Sequence, residues 1–275
     1  MANYTAADIK ALREATGAGM MDVKKALEEA EGDSAKATEI LRVKGQKGVT
    51  KREGRTTSNG LVAAKAEGGV GTLVEVLCET DFVAKGEKFG ELAGTVLAAA
   101  VDSKAGDADT LLAATVDGQS IQAILDDANA TIGEKIEVKR VARVEAPTVV
   151  AYLHKTSPDL PAQVGVIVGA EGGDEQVARD VAMHVAALAP SVLTRDEVDA
   201  ATVENERRIA EDTAKEEGKP EQALPKIVEG RVNGYYKENV LLDQAFAKEP
   251  KKTVQKVLDE AGASVTGFAR FRVGS

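Results

Sequence analysis

A chain of 275 residues that is 43% hydrophobic and 29% charged can bury a sizeable core, which excludes disorder as a whole and predicts two or three folded units. A formal net charge of −10 disfavours a nucleic-acid backbone as the main ligand, because that affinity is built from cationic contacts that release counterions, and it suits protein partners instead. One cysteine excludes an intrachain disulfide, two scattered histidines offer no zinc spacing, and no apolar run approaches the roughly 20 residues of a membrane span. Residues 1–10 lack the apolar core of a signal peptide, so the cytosol is the expected compartment.

Residues 1–45 read as three short helices. Thr5 with Asp8 three residues later forms a variant capping box ahead of Ile9 and Leu12, and Thr16-Gly17-Ala18-Gly19 breaks the helix. Val23, Ala26, Leu27 and Ala30 make the apolar stripe of a second helix closed by Gly32. Asp33 or Ser34 then caps a third, which carries Ala37, Ile40 and Leu41. The run from Lys44 to Arg55 mixes Gly, Lys and Arg without apolar periodicity and predicts a basic flexible linker over 46–59, with a nucleic-acid arm as the other reading. Basic residues outnumber acidic ones only up to Arg55, by 11 to 9, against 24 to 36 in the remainder.

From Gly60 the sequence runs through one plan twice. The first copy, over 60–146, predicts strands at 61–66 and 72–78 around Gly68-Gly69, then a helix over 87–101. The second, over 147–189 and 240–275, predicts strands at 149–154 and 163–168 and a helix over 174–188. Each copy then reaches a related octet and a last strand: Gln122-Ala123-Ile124-Leu125-Asp126-Asp127-Ala128-Asn129 before 136–144, and Gln255-Lys256-Val257-Leu258-Asp259-Glu260-Ala261-Gly262 before 264–273. Hairpins with a returning third strand and helices on one face give an α+β class. Between the two parts of the second copy, 190–239 predicts two polar helices separated by Gly218-Lys219-Pro220. These read as an inserted antiparallel helical hairpin, either an ordinary surface feature or a partner-binding arm.

A search for chemistry yields little. Gly68-Gly69-Val70-Gly71 lacks the lysine and hydroxyl of a phosphate loop. Cys78 alternates in phase with Val74 and Val76 and has no local histidine, so it reads as a buried thiol. His184 sits at helical spacing from Val177 and Val181 as a core or flank histidine, whereas His154 ends a strand beside a loop and is more exposed. Glu79 with Asp81 offers a pair of carboxylates, yet no pocket-forming group, metal set or further acid accompanies them. The residues alone predict no catalytic site, no metal and no cofactor. The strand-to-helix corner at Thr80, Asp81, Phe82 and Val83 stands out, because a rigid scaffold there frees side chains for contact. Read as a bland corner, Asp81 caps the following helix and Phe82 opens a core-facing turn; read as a surface probe, both face a partner.

Residues 75–85, Glu75-Val76-Leu77-Cys78-Glu79-Thr80-Asp81-Phe82-Val83-Ala84-Lys85, resemble a signature of the bacterial elongation factor Ts family of guanine-nucleotide exchange factors. The stretch from Leu12 through Arg13, Met20, Met21 and Lys24 to Leu27 resembles the family's N-terminal motif, in order and correctly spaced, and the likeness extends over nearly the whole chain. It implies an N-terminal domain of the ubiquitin-associated type. The partner it implies is elongation factor Tu, GDP-bound and then nucleotide-free, with no direct nucleic acid, no membrane and no covalent chemistry. The matching Asp81-Phe82 pair would be pressed into the GTPase beside its magnesium site, while Arg13, Met20, Met21 and Lys24 contact the GTPase domain and His154 another domain. As a plain packing matter at least one of the two methionines should be core. Some members carry a further C-terminal helix, whereas this sequence reads Phe271-Arg272-Val273-Gly274-Ser275, so contacts of that helix are not carried over. A homodimer or two-to-two complex stays open, as does a ubiquitin-associated-like binding scaffold without exchange activity.

Overall fold

Three helices open the chain in the computed structural model, which describes residues 4–16, 18–52 and 54–275, with side chains throughout except at 45–51. They are α1 (Ala6–Thr16), α2 (Met20–Glu29) and α3 (Ser34–Arg52). The expected capping box forms, with the Thr5 amide donating to Asp8 Oδ2 at 2.7 Å and the Asp8 amide to Thr5 Oγ1 at 3.3 Å. Asp33, not Ser34, caps α3 by accepting from the Ala35 and Lys36 amides. Leu12, Val23, Ala26, Leu27, Ala30, Ala37 and Leu41 close this small core. Of the predicted breaker, Gly17 lies outside the described residues.

The expected flexible linker is corrected in its first half, since 46–52 continue α3. Lys, Arg and Gln are good helix formers, and tertiary docking offsets the roughly 1 kcal/mol that each of Gly45 and Gly48 costs. The extension lies along a later helix, α7 (Ile121–Ile132), where the Arg42 guanidinium is 3.9 Å from Asp127 and Arg52 Nη1 donates to the Asn129 carbonyl at 3.0 Å.

The chain then builds β1 (Asn59–Glu67), β2 (Val70–Cys78), α4 (Asp81–Ala84), α5 (Glu87–Ser103), α6 (Ala108–Ala113), a short hairpin of β3 (Thr115–Val116) and β4 (Gln119–Ser120), α7 (Ile121–Ile132) and β5 (Glu137–Glu145). A second series follows: β6 (Thr148–His154), β7 (Val164–Gly172), α8 (Glu175–Leu188), α9 (Ala200–Glu216), α10 (Leu224–Asn239), β8 (Ala245–Phe246), β9 (Glu249–Thr253), α11 (Val254–Ala261) and β10 (Ala263–Arg272). The result is a mixed α+β architecture with two small antiparallel sheets, ordered β1-β2-β5 and β10-β7-β6. Hairpin plus returning strand recurs in both, each last strand carries a bulge against its neighbour, and the related octets lie in α7 and α11, each ended by a left-handed glycine, Gly133 or Gly262.

The central strands β2 and β7 are buried on both faces. Val74, Val76 and Cys78 point toward α5, with Phe89 and Val96, whereas Val166, Val168 and Ala170 point toward α8. Between the sheets, Val62 and Leu73 meet Ile167 and Phe271. Glycine permits this close approach: a Cβ on Gly165 would lie 2.5 Å from Val62 Cγ1, and one on Gly169 would lie 2.7 Å from Val144 Cγ1. The layers run helix, sheet, sheet, helix, so each strand alternation serves two different cores. Helices α9 and α10 pack on each other between α8 and β8, and both carboxylate oxygens of Glu217 accept from Arg231 Nη2 at 2.8 Å.

Candidate functional site

Strand β2 delivers the chain to a sharp corner. Thr80, extended at φ −121°, is the N-cap of α4, its Oγ1 accepting from the Val83 amide at 3.4 Å. This corrects the reading of Asp81 as the cap: the short hydroxyl takes that position, and Asp81 becomes the first helical residue, where the helix dipole favours its charge. Asp81 Oδ2 lies 2.8 Å from Lys85 Nζ one turn on, and that hydrogen bond holds the Asp81 carboxyl below its ordinary range and Lys85 above its own. Ala84 is buried and Val83 packs against the first core, so two of the four residues anchor the turn. Phe82 points away from both and is 83% exposed, which overturns the core-facing alternative. Leaving such a side chain in water forgoes about 1.5–3 kcal/mol of burial.

Carboxylates from elsewhere hold the corner from beneath. Glu134, in the turn between α7 and β5, accepts from the Glu79 amide at 3.1 Å, the Thr80 amide at 3.0 Å and the Thr80 hydroxyl. Glu79 accepts from the Lys135 amide at 2.6 Å and from Arg55 Nη1 at 3.2 Å, and these contacts lower its pKa, the backbone bond most. Glu79 thus braces the corner against Lys135 and Arg55. Sequence reasoning missed Arg55, Glu134 and Lys135, whose partners lie 24 to 56 positions away.

The N-terminal helices approach the same region. Ile9, Lys10, Arg13, Glu14 and Met20 line an open groove of about 760 Å³ together with Lys88 from the first turn of α5. Arg13 and Lys24 are exposed. Met20 and Met21 are 58% and 62% exposed, so neither is core: the buried stripe of α2 starts at Val23, one turn beyond them. His154 stands exposed at the end of the edge strand β6, its ring stacked 6.3 Å from that of Tyr152. The loop that follows returns toward the corner, where Asp159 adds to the raising of Lys85.

Two suspects for chemistry are structural. Cys78 is fully buried, its thiol donating to the Thr80 carbonyl at 3.2 Å, and burial pushes its pKa up to about 12. His184 is buried beneath Phe246; its Nδ1 accepts from the Ala247 amide at 3.1 Å, which leaves the proton on Nε2, 2.8 Å from Gln244 Oε1. Among the described residues, no group of three His, Cys, Asp or Glu side chains is placed to hold a metal ion, and no helix is long and apolar enough to cross a membrane.

An outward aromatic beside an ion-paired carboxylate, on an anchored turn flanked by a groove of methionine and basic side chains, makes a surface suited to contacting a protein, on an α+β scaffold. Comparison with known proteins gives that surface a lineage. A family model described as elongation factor TS matches residues 79–275, starting at the corner itself. The chain is 64% identical over 278 aligned positions to elongation factor Ts of Arthrobacter sp. (strain FB24), and 63% identical to those of Pseudarthrobacter chlorophenolicus and Micrococcus luteus, covering all of both chains each time. The chain belongs to the elongation factor Ts family.

Proposed function

We propose that this chain is the guanine-nucleotide exchange factor of elongation factor Tu: it binds the GDP-bound GTPase, displaces its magnesium, promotes GDP release and leaves a nucleotide-free complex that GTP resolves. No covalent bond is made or broken. The observation that carries the reading is Phe82, exposed beside Asp81 on a corner whose backbone is held from both sides. Phe82 wedges between helices of the GTPase while Asp81 perturbs the groups that hold the magnesium water shell, and losing the cation removes the charge that neutralises the phosphates. Thr80 and Val83 fix the turn.

Linkage makes the effect reciprocal, so nucleotide binding weakens factor binding by the ratio in which the factor weakens nucleotide binding. A four-decade acceleration requires about 5.5 kcal/mol, more than the roughly 1.5–3 kcal/mol that burying one Phe supplies. The remainder comes from an extended interface. Arg13, Met20, Met21 and Lys24, on an N-terminal domain of ubiquitin-associated type spanning 1–45, contact the GTPase domain. His154, in the second core copy over 147–189 and 240–275, contacts a further domain. The helices within 190–239 form an arm whose part, in partner contact or in a homodimer or two-to-two complex, is separable by truncation. The setting is the cytoplasm, without direct contact to nucleic acid or membrane.

Release of a fluorescent GDP analogue from elongation factor Tu at fixed magnesium tests the reading. Catalytic amounts of the wild-type chain should accelerate release strongly, and a folded Asp81→Ala/Phe82→Ala variant should lose most of that effect. A folded wild-type chain that binds without acceleration would favour a ubiquitin-associated-like scaffold and overturn exchange.

A further inference from the structure

We infer that Glu134 is a positioning residue for exchange: it sets the direction in which Phe82 projects, without touching the partner's nucleotide itself. The inference rests on the exchange reading above and adds to it a residue that lies 52 positions from Phe82 in the chain.

Both oxygens of its carboxylate are committed to the corner. Oε2 accepts from two consecutive backbone amides, those of Glu79 and Thr80, and Oε1 accepts from the Thr80 hydroxyl. These donors belong to the two residues between the last strand residue of β2 and the first helical residue of α4. Without Glu134 the amides of Glu79 and Thr80 have no carboxylate to meet, and the Thr80 hydroxyl, which must accept from the Val83 amide to cap α4, loses the acceptor that fixes its own rotation. A helix of four residues has little stability of its own, so the aim of Phe82 depends on its cap.

Glu134 is itself well placed to act as a fixed point. It follows Gly133, the left-handed residue that ends α7, and precedes Lys135, whose amide donates to Glu79. Asn129 of α7 accepts from the Ile136 amide through its side chain and from Arg52 of α3 through its carbonyl. The turn is therefore tied to α7, to β5 and to the end of the N-terminal helical unit at once. A carboxylate suits the task better than a neutral acceptor because hydrogen bonds to an ionised group are about twice as strong.

The test uses the full chain in the GDP-release assay, as wild type, Glu134→Ala, Glu134→Gln, Phe82→Ala and Glu134→Ala/Phe82→Ala, titrated to saturation so that maximal rate and half-saturating concentration separate. Losing hydrogen bonds to a charged group predicts that Glu134→Ala lowers the maximal rate about tenfold to a hundredfold. Glu134→Gln, which keeps a carbonyl acceptor, should recover most of it. The double variant should be no slower than Phe82→Ala alone, because Glu134 acts through Phe82. Amide hydrogen exchange should quicken at Glu79 and Thr80 in Glu134→Ala while Val74 and Val96 in the core stay protected. A wild-type rate in Glu134→Ala, or an additive loss in the double variant, overturns the assignment, as does general loss of core protection in Glu134→Ala. Failure of the wild-type chain itself to accelerate release overturns the exchange reading first, and is distinct because no variant is involved.

Discussion

Glu75 Oε2 lies 2.5 Å from Arg140 Nε across the β2–β5 pair, and the two partners live in different environments. The Glu75 side chain is fully buried between the sheets and its other oxygen has no partner among the described residues, whereas Arg140 keeps 32% of its exposure. The guanidinium also lies 4.7 Å from the centre of the Phe271 ring and donates to the Arg272 carbonyl at 3.0 Å. Arg140 thus joins the first sheet to the last strand of the second.

The asymmetry predicts unequal losses. Arg140→Met strands a buried carboxylate and should cost about 3–5 kcal/mol. Glu75→Met removes the unpaired oxygen and leaves Arg140 with Phe271, a carbonyl and water, so it should cost clearly less. Urea unfolding of the two variants measures the order; equal losses, or the reverse order, would count against this account of the pair.

Phe82→Ala separates function from stability. The ring is exposed and supports no core, so the unfolding midpoint should move by no more than about 0.5 kcal/mol in equivalent free energy, while acceleration of GDP release falls sharply. A variant that unfolds early would mean that Phe82 packs in the fold after all.

Cys78 should be silent toward thiol reagents in the native protein at pH 8. With a thiol pushed up to about 12 and no exposed surface, almost none is thiolate and none is reachable. Labelling by iodoacetamide should proceed at the rate at which the first core opens, rising with urea. Rapid stoichiometric labelling without denaturant would contradict the burial.

Burial, partly opposed by the bond to Gln244, lowers the pKa of His184 from its ordinary value near 6.5. Between the lowered and the ordinary value the unfolded chain binds a proton that the native chain does not, so the contribution is complete above about pH 6.5 and is lost as pH falls below it. The unfolding midpoint of the wild type should therefore drop between pH 7.5 and 5.5. His184→Leu, which takes away the His184 partner of Gln244 Oε1 and of the Ala247 amide, should be less stable throughout but flatter over this window. Parallel pH profiles would remove His184 as the source.

Gly165→Ala tests the contact between the sheets. The added methyl meets Val62 Cγ1 at 2.5 Å and Leu73 Cδ1 at 2.8 Å, both on buried side chains, and overpacking of this kind costs about 1–3 kcal/mol. Gly267→Ala, on the partner strand β10 with open space around it, is the control that should leave stability nearly unchanged. Equal stability of the two variants would show that the sheets can separate.

Periodicity made the principal helices and strands legible, because each has one or two buried faces that impose spacing 3.6 or 2 on the apolar residues. It did not reveal α6 or the β3–β4 hairpin, although Asp117-Gly118, both at positive φ, is a tight-turn signal in a segment too short for a pattern. The helical run to Arg52 was hidden for another reason: it is held by α7, some 80 residues further on, and not by a stripe of its own. At the site, the Asp81-Phe82 corner was visible, but its cap was assigned one residue late, and the carboxylates beneath it left no mark. Hydrogen bonds between residues 50 positions apart have no period. Likewise the exposure of both Met20 and Met21 follows from where the stripe of α2 begins, a phase that apolar residues alone set ambiguously.

The glycines between the sheets bear on who yields when the chain meets its partner. Because Gly165 and Gly169 let Val62, Val144 and Leu73 interlock, the corner on one sheet and the end of β6 on the other cannot slide apart without opening a packed seam. The fold then resembles a caliper with welded jaws: the gap between the Phe82 corner and His154 is set by the packing of the sheets. Under the function proposed above, a GTPase held at both points would have to fit that gap, so the rearrangement would fall on the partner and not on this chain.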